Sequence, residues 1–343
     1  MSYFFRFAAT VLCIAAVGAA GAQEKLPLVK VVATGGTIAN TPSGRLHAGE
    51  VADAIPALKK VARLEVEELM RVGSSAITVE NWLTLARRIN EILAQEAGVA
   101  GVVVTHGSNT VEETAYFLSL TVRSDKPVVL TAAQRQFTTL SSDSPKNFLQ
   151  AVRVAASSES RGKGALVVAN DMINAARDVS KNITYRVETY SSRDIGALGF
   201  VDDDRITWYR LPVKQHGAAT PFDVAGLPQL PRVDIIYTYA GADGALIEAA
   251  VAGGAEGIVI AGFPTGSGTP AMDEAVKRIA AKGIPVVMTN RGGLGRVTDT
   301  RAKEARPLIW GDNLTPVKAR ILLMLALTTT RNPAEIQQLF LKY

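Results

Sequence analysis

Two short polar turns in this 343-residue chain carry hydroxyls, glycines and a side-chain amide in an arrangement that suits acyl transfer. Thr34-Gly35-Gly36-Thr37-Ile38-Ala39-Asn40 follows the apolar run Val29 to Ala33, and Thr105-His106-Gly107-Ser108-Asn109 follows the apolar run Gly101 to Val104. Cleavage of an amide by a hydroxyl needs a nucleophile, a group that takes its proton, and N–H donors aimed at the developing oxyanion. Thr37 and Ser108 offer the hydroxyls. The glycines let the backbone approach a ligand closely and leave its amides free to donate. A third glycine and hydroxyl pair stands in Val72-Gly73-Ser74-Ser75. One such turn alone is ordinary chain-reversal chemistry; several at the ends of neighbouring strands concentrate reactive groups. Ala176-Arg177-Asp178-Val179-Ser180-Lys181 places Lys181 in a loop region after a strand, where a lysine is ordinarily a solvated charge.

These residues need a scaffold that brings strand ends together. The β-branched runs before the turns suit parallel strands covered on both faces, and Thr110 with Glu113 has the spacing of a helix capping box. Ser108 and Asn109 then lie between a strand's carboxyl end and a helix N-terminus, where open α/β sheets place their ligands. From Lys25 onward short β-branched runs alternate with amphipathic stretches, the pattern of a parallel sheet built from βα units. Further strands are expected at Val128 to Ala132 and Ala165 to Val168, with helices at Val51 to Ala62 and Asn81 to Glu96. In the latter, Trp82, Leu85, Ile89, Ile92 and Leu93 form one core stripe. Residues 205–232, rich in Pro, Gly and Gln, read as a linker. Beyond it a second α/β pattern predicts strands at Asp234 to Tyr239, Gly257 to Ile260 and Pro285 to Thr289, and helices at Ala245 to Ala252, Met272 to Ala281, Pro316 to Thr328 and Pro333 to Leu341. The expected architecture is a larger N-terminal parallel-sheet domain (23–204), the linker, and a smaller C-terminal α/β domain (233–343).

Composition narrows the function. With 48% hydrophobic residues the chain can bury a large core. Residues 1–22 have the form of a cleaved signal peptide: Arg6, an apolar run from Phe7 to Ala20 too short to span a bilayer, and the small-residue site Ala20-Gly21-Ala22. A periplasmic protein, free of the membrane after cleavage, is expected. Cys13, the only cysteine, lies inside that segment, so the mature chain would hold neither a disulfide nor a thiol nucleophile. The net charge of +5 is dispersed without a basic run, which argues against nucleic acid. His47, His106 and His216 fit no zinc spacing, and no P-loop, G-x-G-x-x-G or G-x-S-x-G motif is present. Neither a cofactor nor a metal is expected.

The pairing of Thr-Gly-Gly-Thr-Ile-Ala with Thr-His-Gly-Ser-Asn-Thr-Val-Glu-Glu-Thr-Ala resembles the two signature motifs of the bacterial type II L-asparaginases, and the likeness runs from Val29 to Tyr343. It implies an amidohydrolase acting on a small-molecule amide, with Thr37 as acylated nucleophile. Ser108 would stand at the family's second catalytic threonine, Asn109 at its aspartate and Lys181 at its lysine. The substrate pocket would be formed by Gly36, Ser74, Ser75, Gly107, Ser108 and Asn109, in a homotetramer whose sites are completed across subunits. The departures converge on one task. The family's aspartate and glutamine, which hold the substrate's α-ammonium, are replaced by Asn109 and Ser75. Its asparagine after Tyr-Ala is Gly241, and the region of its partner-supplied glutamate, Arg296 to Arg301, has Asp299 as its only acid. The lid segment Asn40 to His47 is short and lacks a tyrosine. Three readings follow: hydrolysis of asparagine itself; hydrolysis of amides without a free α-ammonium, such as N-substituted asparagine, β-aspartyl peptides or diacid monoamides; and a non-catalytic homologue that binds a small acid.

Overall fold

Runs of buried valine dictate the main sheet. The computed structural model describes residues 25–297 and 308–343, so the expected signal peptide and Asp299 lie outside the described residues. Five strands, β1 (Leu28–Ala33), β2 (Arg63–Glu68), β3 (Val99–Thr105), β4 (Val128–Thr131) and β5 (Ala165–Ala169), are parallel. Three more, β6 (Met172–Ala175), β7 (Gly199–Val201) and β8 (Ile206–Trp208), continue the sheet antiparallel. The order across it is β8-β7-β6-β5-β4-β3-β1-β2. The chain leaves β1 for β2 on one side and returns to β3 on the other, so the crevice between β1 and β3 is the topological switch point at which such sheets bind ligands. Ala33 pairs with Thr105 in register, so both hydroxyl turns emerge side by side from that crevice.

Successive side chains of a strand face opposite layers. Val32, Val102 and Val104 join the core under α2 (Val79–Gln95) and α3 (Val111–Thr121), whereas Val29, Val31 and Val103 join the core under α4 (Ser144–Ala156). The smaller domain has four parallel strands, β9 (Val233–Tyr237), β10 (Gly257–Gly262), β11 (Val286–Asn290) and β12 (Ile309–Trp310), in chain order. On one face lie α5 (Ala245–Ala252) and α6 (Pro270–Ala280). On the other lies α7 (Pro316–Ala326), whose Leu322, Leu323 and Leu325 share one core with Tyr116 and Phe117 of α3, and α8 (Pro333–Lys342) completes that core with Ile336 and Phe340. The two-domain α/β architecture expected from the sequence is the one observed.

Several local expectations change. The helix expected from Val51 to Ala62 is instead α1 (Ala48–Asp53) followed by a separate 3-10 turn, Pro56–Lys60, because Pro56 lacks an N–H and disfavours helix in the residue before it. Part of the segment read as linker, Ile206–Trp208, is an edge strand paired with β7. The remaining expected C-terminal elements lie within two residues of their observed bounds.

The shared core generates a prediction for stability. Leu325→Ala should cost about 2 to 5 kcal/mol and move a single urea transition of the whole chain to lower concentration. A separate, earlier unfolding of the small domain would contradict the shared core.

Candidate active site

The three glycine-containing turns touch backbone to backbone. Gly36 has φ 96° and ψ −178°, and a Cβ there would sit 2.3 Å from the Gly107 Cα. A Cβ on Gly107 would sit 2.6 Å from the Ser74 Oγ. No side chain fits either gap, which is why glycine stands at both positions. Hydrogen bonds fix the contact: Thr34 donates through N and Oγ1, each at 3.0 Å, to the Thr105 carbonyl, and Val72 N donates to the Thr34 carbonyl at 3.0 Å. Ser74 bridges the second and third turns, its Oγ accepting from Asn109 N at 3.2 Å and its carbonyl from the Thr110 hydroxyl at 2.9 Å. Thr110 stands at the N-cap position of α3, its carbonyl accepting from Thr114 N at 3.0 Å, but it does not form the side-chain cap that its spacing with Glu113 suggests. Its backbone is not extended, no side-chain cap bond forms, and its hydroxyl goes to Ser74.

Lys181 reaches this cluster from a short hairpin, Ser180–Lys181 against Tyr190–Ser191. Its Nζ donates to Ser108 Oγ at 2.8 Å and to Asn109 Oδ1 at 3.0 Å. Ser108 is 7% exposed, and Tyr190 OH donates to its carbonyl at 3.3 Å. Burial holds the Lys181 amine below the ordinary lysine range, opposed in part by the Glu112 carboxylate. Once Lys181 is neutral, the Ser108 hydroxyl becomes the donor of that bond. Thr37 follows Gly36 directly, opens a single 3-10 turn and is half-buried; its hydroxyl has no hydrogen-bond partner among the described residues.

The structure thus joins Ser74, Ser108, Asn109 and Lys181 by hydrogen bonds, and brings Gly36 and Gly107 into contact beside them. Ser75 is exposed at the edge of the cluster. Gly241 sits in a turn before α5, and Arg296 is engaged by Asp312 at 2.7 Å. The segment Asn40 to His47 is a pinned hairpin: Arg45 Nε donates to Asn40 Oδ1 at 2.8 Å, and Arg71 bonds both the Arg45 carbonyl and His47. His47 caps α1 and pairs with Glu68 at 3.1 Å. No cluster of His, Cys, Asp and Glu among the described residues is arranged to hold a metal.

Further residues that the motifs do not assign a part in the site contribute to it. Glu112 accepts from the Lys181 backbone N–H at 3.2 Å, and Tyr190 supports Ser108. His106, fully buried, bonds the Gly107 carbonyl through Nδ1 at 2.8 Å and Thr114 Oγ1 through Nε2 at 3.0 Å; Trp82 Nε1 donates to the same Thr114 hydroxyl at 2.9 Å. That chain of bonds assigns the proton to Nδ1 and makes Thr114 the donor to Nε2. Burial pushes the imidazole down to about 4, so His106 is a neutral strut.

Comparison with known proteins gives the family. Residues 28–214 match the model of the asparaginase N-terminal domain, and residues 232–340 that of the glutaminase/asparaginase C-terminal domain. The chain belongs to the asparaginase family. It is 43% identical to L-asparaginase 2 of Bacillus subtilis, across 95% of this chain and 90% of that one. It is 39% identical to L-asparaginase 2 of Escherichia coli, across 98% and 99%. The glutaminase-asparaginase of Pseudomonas fluorescens is 36% identical, across 94% and 92%. A crystal structure of a probable cytoplasmic L-asparaginase from Campylobacter jejuni superposes with a TM-score of 0.89 at 40% identity, covering 92% of this chain and all of that one. The expected enzyme class, an amidohydrolase, stands with that family.

Two outcomes test the site's construction. Gly107→Ala should reduce turnover by at least about a hundredfold, because the added methyl must displace Ser74; near-normal rates would mean that the turns are not held in contact. The second concerns pH. His106, depressed to about 4 from an ordinary value of 6.5, contributes stability above that ordinary value which is lost as pH falls toward 4. Glu113, pushed up to about 7 from 4.5 by burial and by Glu112, has the opposite sign: it contributes stability at low pH that is lost as pH rises through 7. The two oppose each other between about 4.5 and 6.5. Glu113→Gln removes one of them, so its melting temperature should fall more steeply than the parent's on acidification through that window. Parallel curves would count against the opposition.

Proposed function

We propose that this protein is an asparaginase-type amidohydrolase that works through an acyl-enzyme on Thr37 and prefers amides without a free α-ammonium. The carrying observation is the neutral Asn109 hydrogen-bonded to Lys181 Nζ, at the position where the resemblance places a carboxylate. In this reading Lys181, in its neutral form, draws the proton of Ser108, which in turn relieves Thr37 of its own. Thr37 Oγ forms the bond to the amide carbon, and backbone N–H groups of the glycine turns hold the oxyanion. The carbon–nitrogen bond then breaks, and the leaving nitrogen takes the proton returned from Lys181 through Ser108. Water repeats the sequence on the Thr37 ester, gives its proton to the same relay, and releases the acid with Thr37 restored.

Specificity follows from charge. A free α-ammonium brought to Asn109 finds a neutral amide, and Ser75 and Gly241 offer no carboxylate either. A buried charge with its partner removed costs about 2 to 5 kcal/mol, a tenfold to several-thousandfold loss. An acylated nitrogen or a simple methylene loses nothing there, because an amide side chain can donate and accept with a neutral partner. The Ser74 turn remains as a place for the substrate carboxylate. The reading further includes export to the periplasm and a homotetramer in which a neighbouring subunit closes the open side of each site.

The experiment is a competition between L-asparagine and N-acetyl-asparagine or succinamic acid, read as released ammonia. The neutral amides should show kcat/KM equal to or above that of asparagine, and Asn109→Asp should shift the ratio toward the free amino acid. A preference for asparagine above about tenfold, roughly 1.4 kcal/mol, would sink the specificity. Thr37→Ala and Lys181→Met should each lower turnover at least about a hundredfold; if Thr37→Ala kept its rate while Ser108→Ala lost it, the nucleophile would be Ser108.

A further inference from the structure

The segment Arg177 to Lys181 carries the lysine of the site, and it is gripped from two directions, by Lys318 and by Glu112. From the small domain, Lys318 on α7 extends a fully buried side chain, 1% exposed, whose Nζ donates to the Arg177 carbonyl at 2.8 Å and to the Val179 carbonyl. From α3, Glu112 accepts the backbone N–H of Lys181 itself at 3.2 Å. The two grips are coupled. Glu112 is the foremost charge opposing the effect of burial on Lys318, ahead of Asp178 and Glu113.

A buried lysine on backbone carbonyls is costly to keep where a leucine or methionine would pack, so its retention points to a geometric task. Arg177 lies in the turn that follows β6, closed by the Asp178 and Val179 N–H groups donating to the Ala175 carbonyl at 3.1 and 3.0 Å, and Val179 leads out of that turn into Ser180–Lys181. Fixing 177 and 179 from one side and the amide of 181 from the other removes the freedom of this stretch to slide. Lys181 Nζ is thereby left at 2.8 Å from Ser108. We infer that Lys318 and Glu112 are positioning residues, an interdomain clamp on residues 177–181 that sets Lys181 against Ser108, and that the Glu112 charge also sets how readily Lys181 gives up its proton. The inference rests on the proposed role of Lys181 in amide hydrolysis, but its geometry can be tested without any substrate.

The groups facing Lys181 limit what else can act. Ser108 and Asn109 are neutral. Tyr190, on the paired strand, is held far above its ordinary range by burial and stays protonated. Lys318 meets the segment through its carbonyls. Glu112 is the charge that raises Lys181 against the lowering by burial. Removing that charge while keeping an acceptor oxygen must therefore make Lys181 easier to deprotonate without releasing its amide.

The test is the pH dependence of Lys181 acylation by an amine-reactive ester on the intact protein, quantified by mass spectrometry against the exposed Lys59. In Glu112→Gln the midpoint should move to lower pH by about half a unit or more, so that below the midpoint Lys181 reacts about threefold faster than in the parent. In Lys318→Met, which keeps the buried volume, the Lys181 rate should rise several-fold at every pH as Nζ leaves Ser108, with kcat for ammonia release down at least about tenfold and KM within about twofold. An unmoved midpoint in Glu112→Gln overturns the charge role. An unchanged Lys181 rate in a folded Lys318→Met overturns the clamp, and if that variant does not fold, Glu112→Ala takes its place, compared above the midpoint with Glu112→Gln, which lacks the same charge: its Lys181 rate should be several-fold higher, and an equal rate overturns the clamp. Should the parent release no ammonia from any amide, the hydrolytic reading fails while the acylation rates still decide the clamp.

Discussion

The contact between Gly36 and Gly107 is the constraint on which the site depends. Neighbouring parallel strands lie about 4.8 Å apart, and β1 and β3 end in register, so whatever follows Ala33 and Thr105 must share a space too narrow for two side chains. Glycine on both sides accepts that limit, and the hydroxyl residue after each, Thr37 and Ser108, is carried to the same crevice. Gly36 adopts its positive φ without a Cβ clash, and the two hydrogen bonds from Thr34 to the Thr105 carbonyl hold the turn in place above the buried valines. Because the turns are braced through backbone atoms, their amides are oriented before any substrate arrives, which is what electrostatic stabilisation of an oxyanion requires.

Beneath the turns, polar groups are kept out of water in states that differ from their free ones. His106 is neutral and spends both ring nitrogens on bonds, one to Gly107 and one to Thr114, so the second turn is anchored to α2 and α3 through Trp82. Glu113, in the first turn of α3, is pushed up to about 7 by burial and by the neighbouring Glu112 carboxylate. Glu112 remains the acceptor for the lysine segment. Of these two adjacent acids, Glu112 is the one whose charge opposes the effect of burial on Lys181, and it is the foremost of the acids that do so for Lys318.

Much of this was legible in the sequence, for reasons that can be named. The valine runs gave strands because parallel strands are buried on both faces, and the stripe Trp82, Leu85, Ile89, Ile92 and Leu93 gave α2 because its period is helical. The hydroxyl turns and Lys181 were recognisable as motifs, and the structure brings Ser108, Asn109 and Lys181 into direct contact. The antiparallel extension was missed. Its signal was present in Asn170-Asp171, both at positive φ, the two-residue reversal between β5 and β6 that lets Met172–Ala175 pair back on Ala165–Ala169. The Thr110 cap failed for a different reason. Spacing reports what a hydroxyl can reach along its own helix, and the competing acceptor, the Ser74 carbonyl, lies far away in the chain. Glu112 and Lys318 belong to the same class of omission: their partners are backbone atoms of a segment that only the tertiary fold brings near.

Asn109 ties the electrostatics of catalysis to those of recognition. A carboxylate at this position would pair its charge with the Lys181 ammonium and, in the proposed reading, with a substrate ammonium; the Asn109 amide offers Lys181 a neutral oxygen at 3.0 Å and no charge, so in that reading a single group changes the base and the specificity together. The two effects are unequal in size. Easing deprotonation of Lys181 by one pKa unit is worth about 1.4 kcal/mol, and only at a pH below the amine's own value. An unpaired substrate ammonium costs about 2 to 5 kcal/mol at any pH where it is charged. For a free amino acid the loss exceeds the gain, whereas for an amide with a neutral nitrogen or none in that place only the gain remains. In the proposed reading an amide at this position therefore does not simply disable the site: with the hydroxyl turns and Lys181 present, it would move the balance toward substrates whose polar group at Asn109 carries no charge.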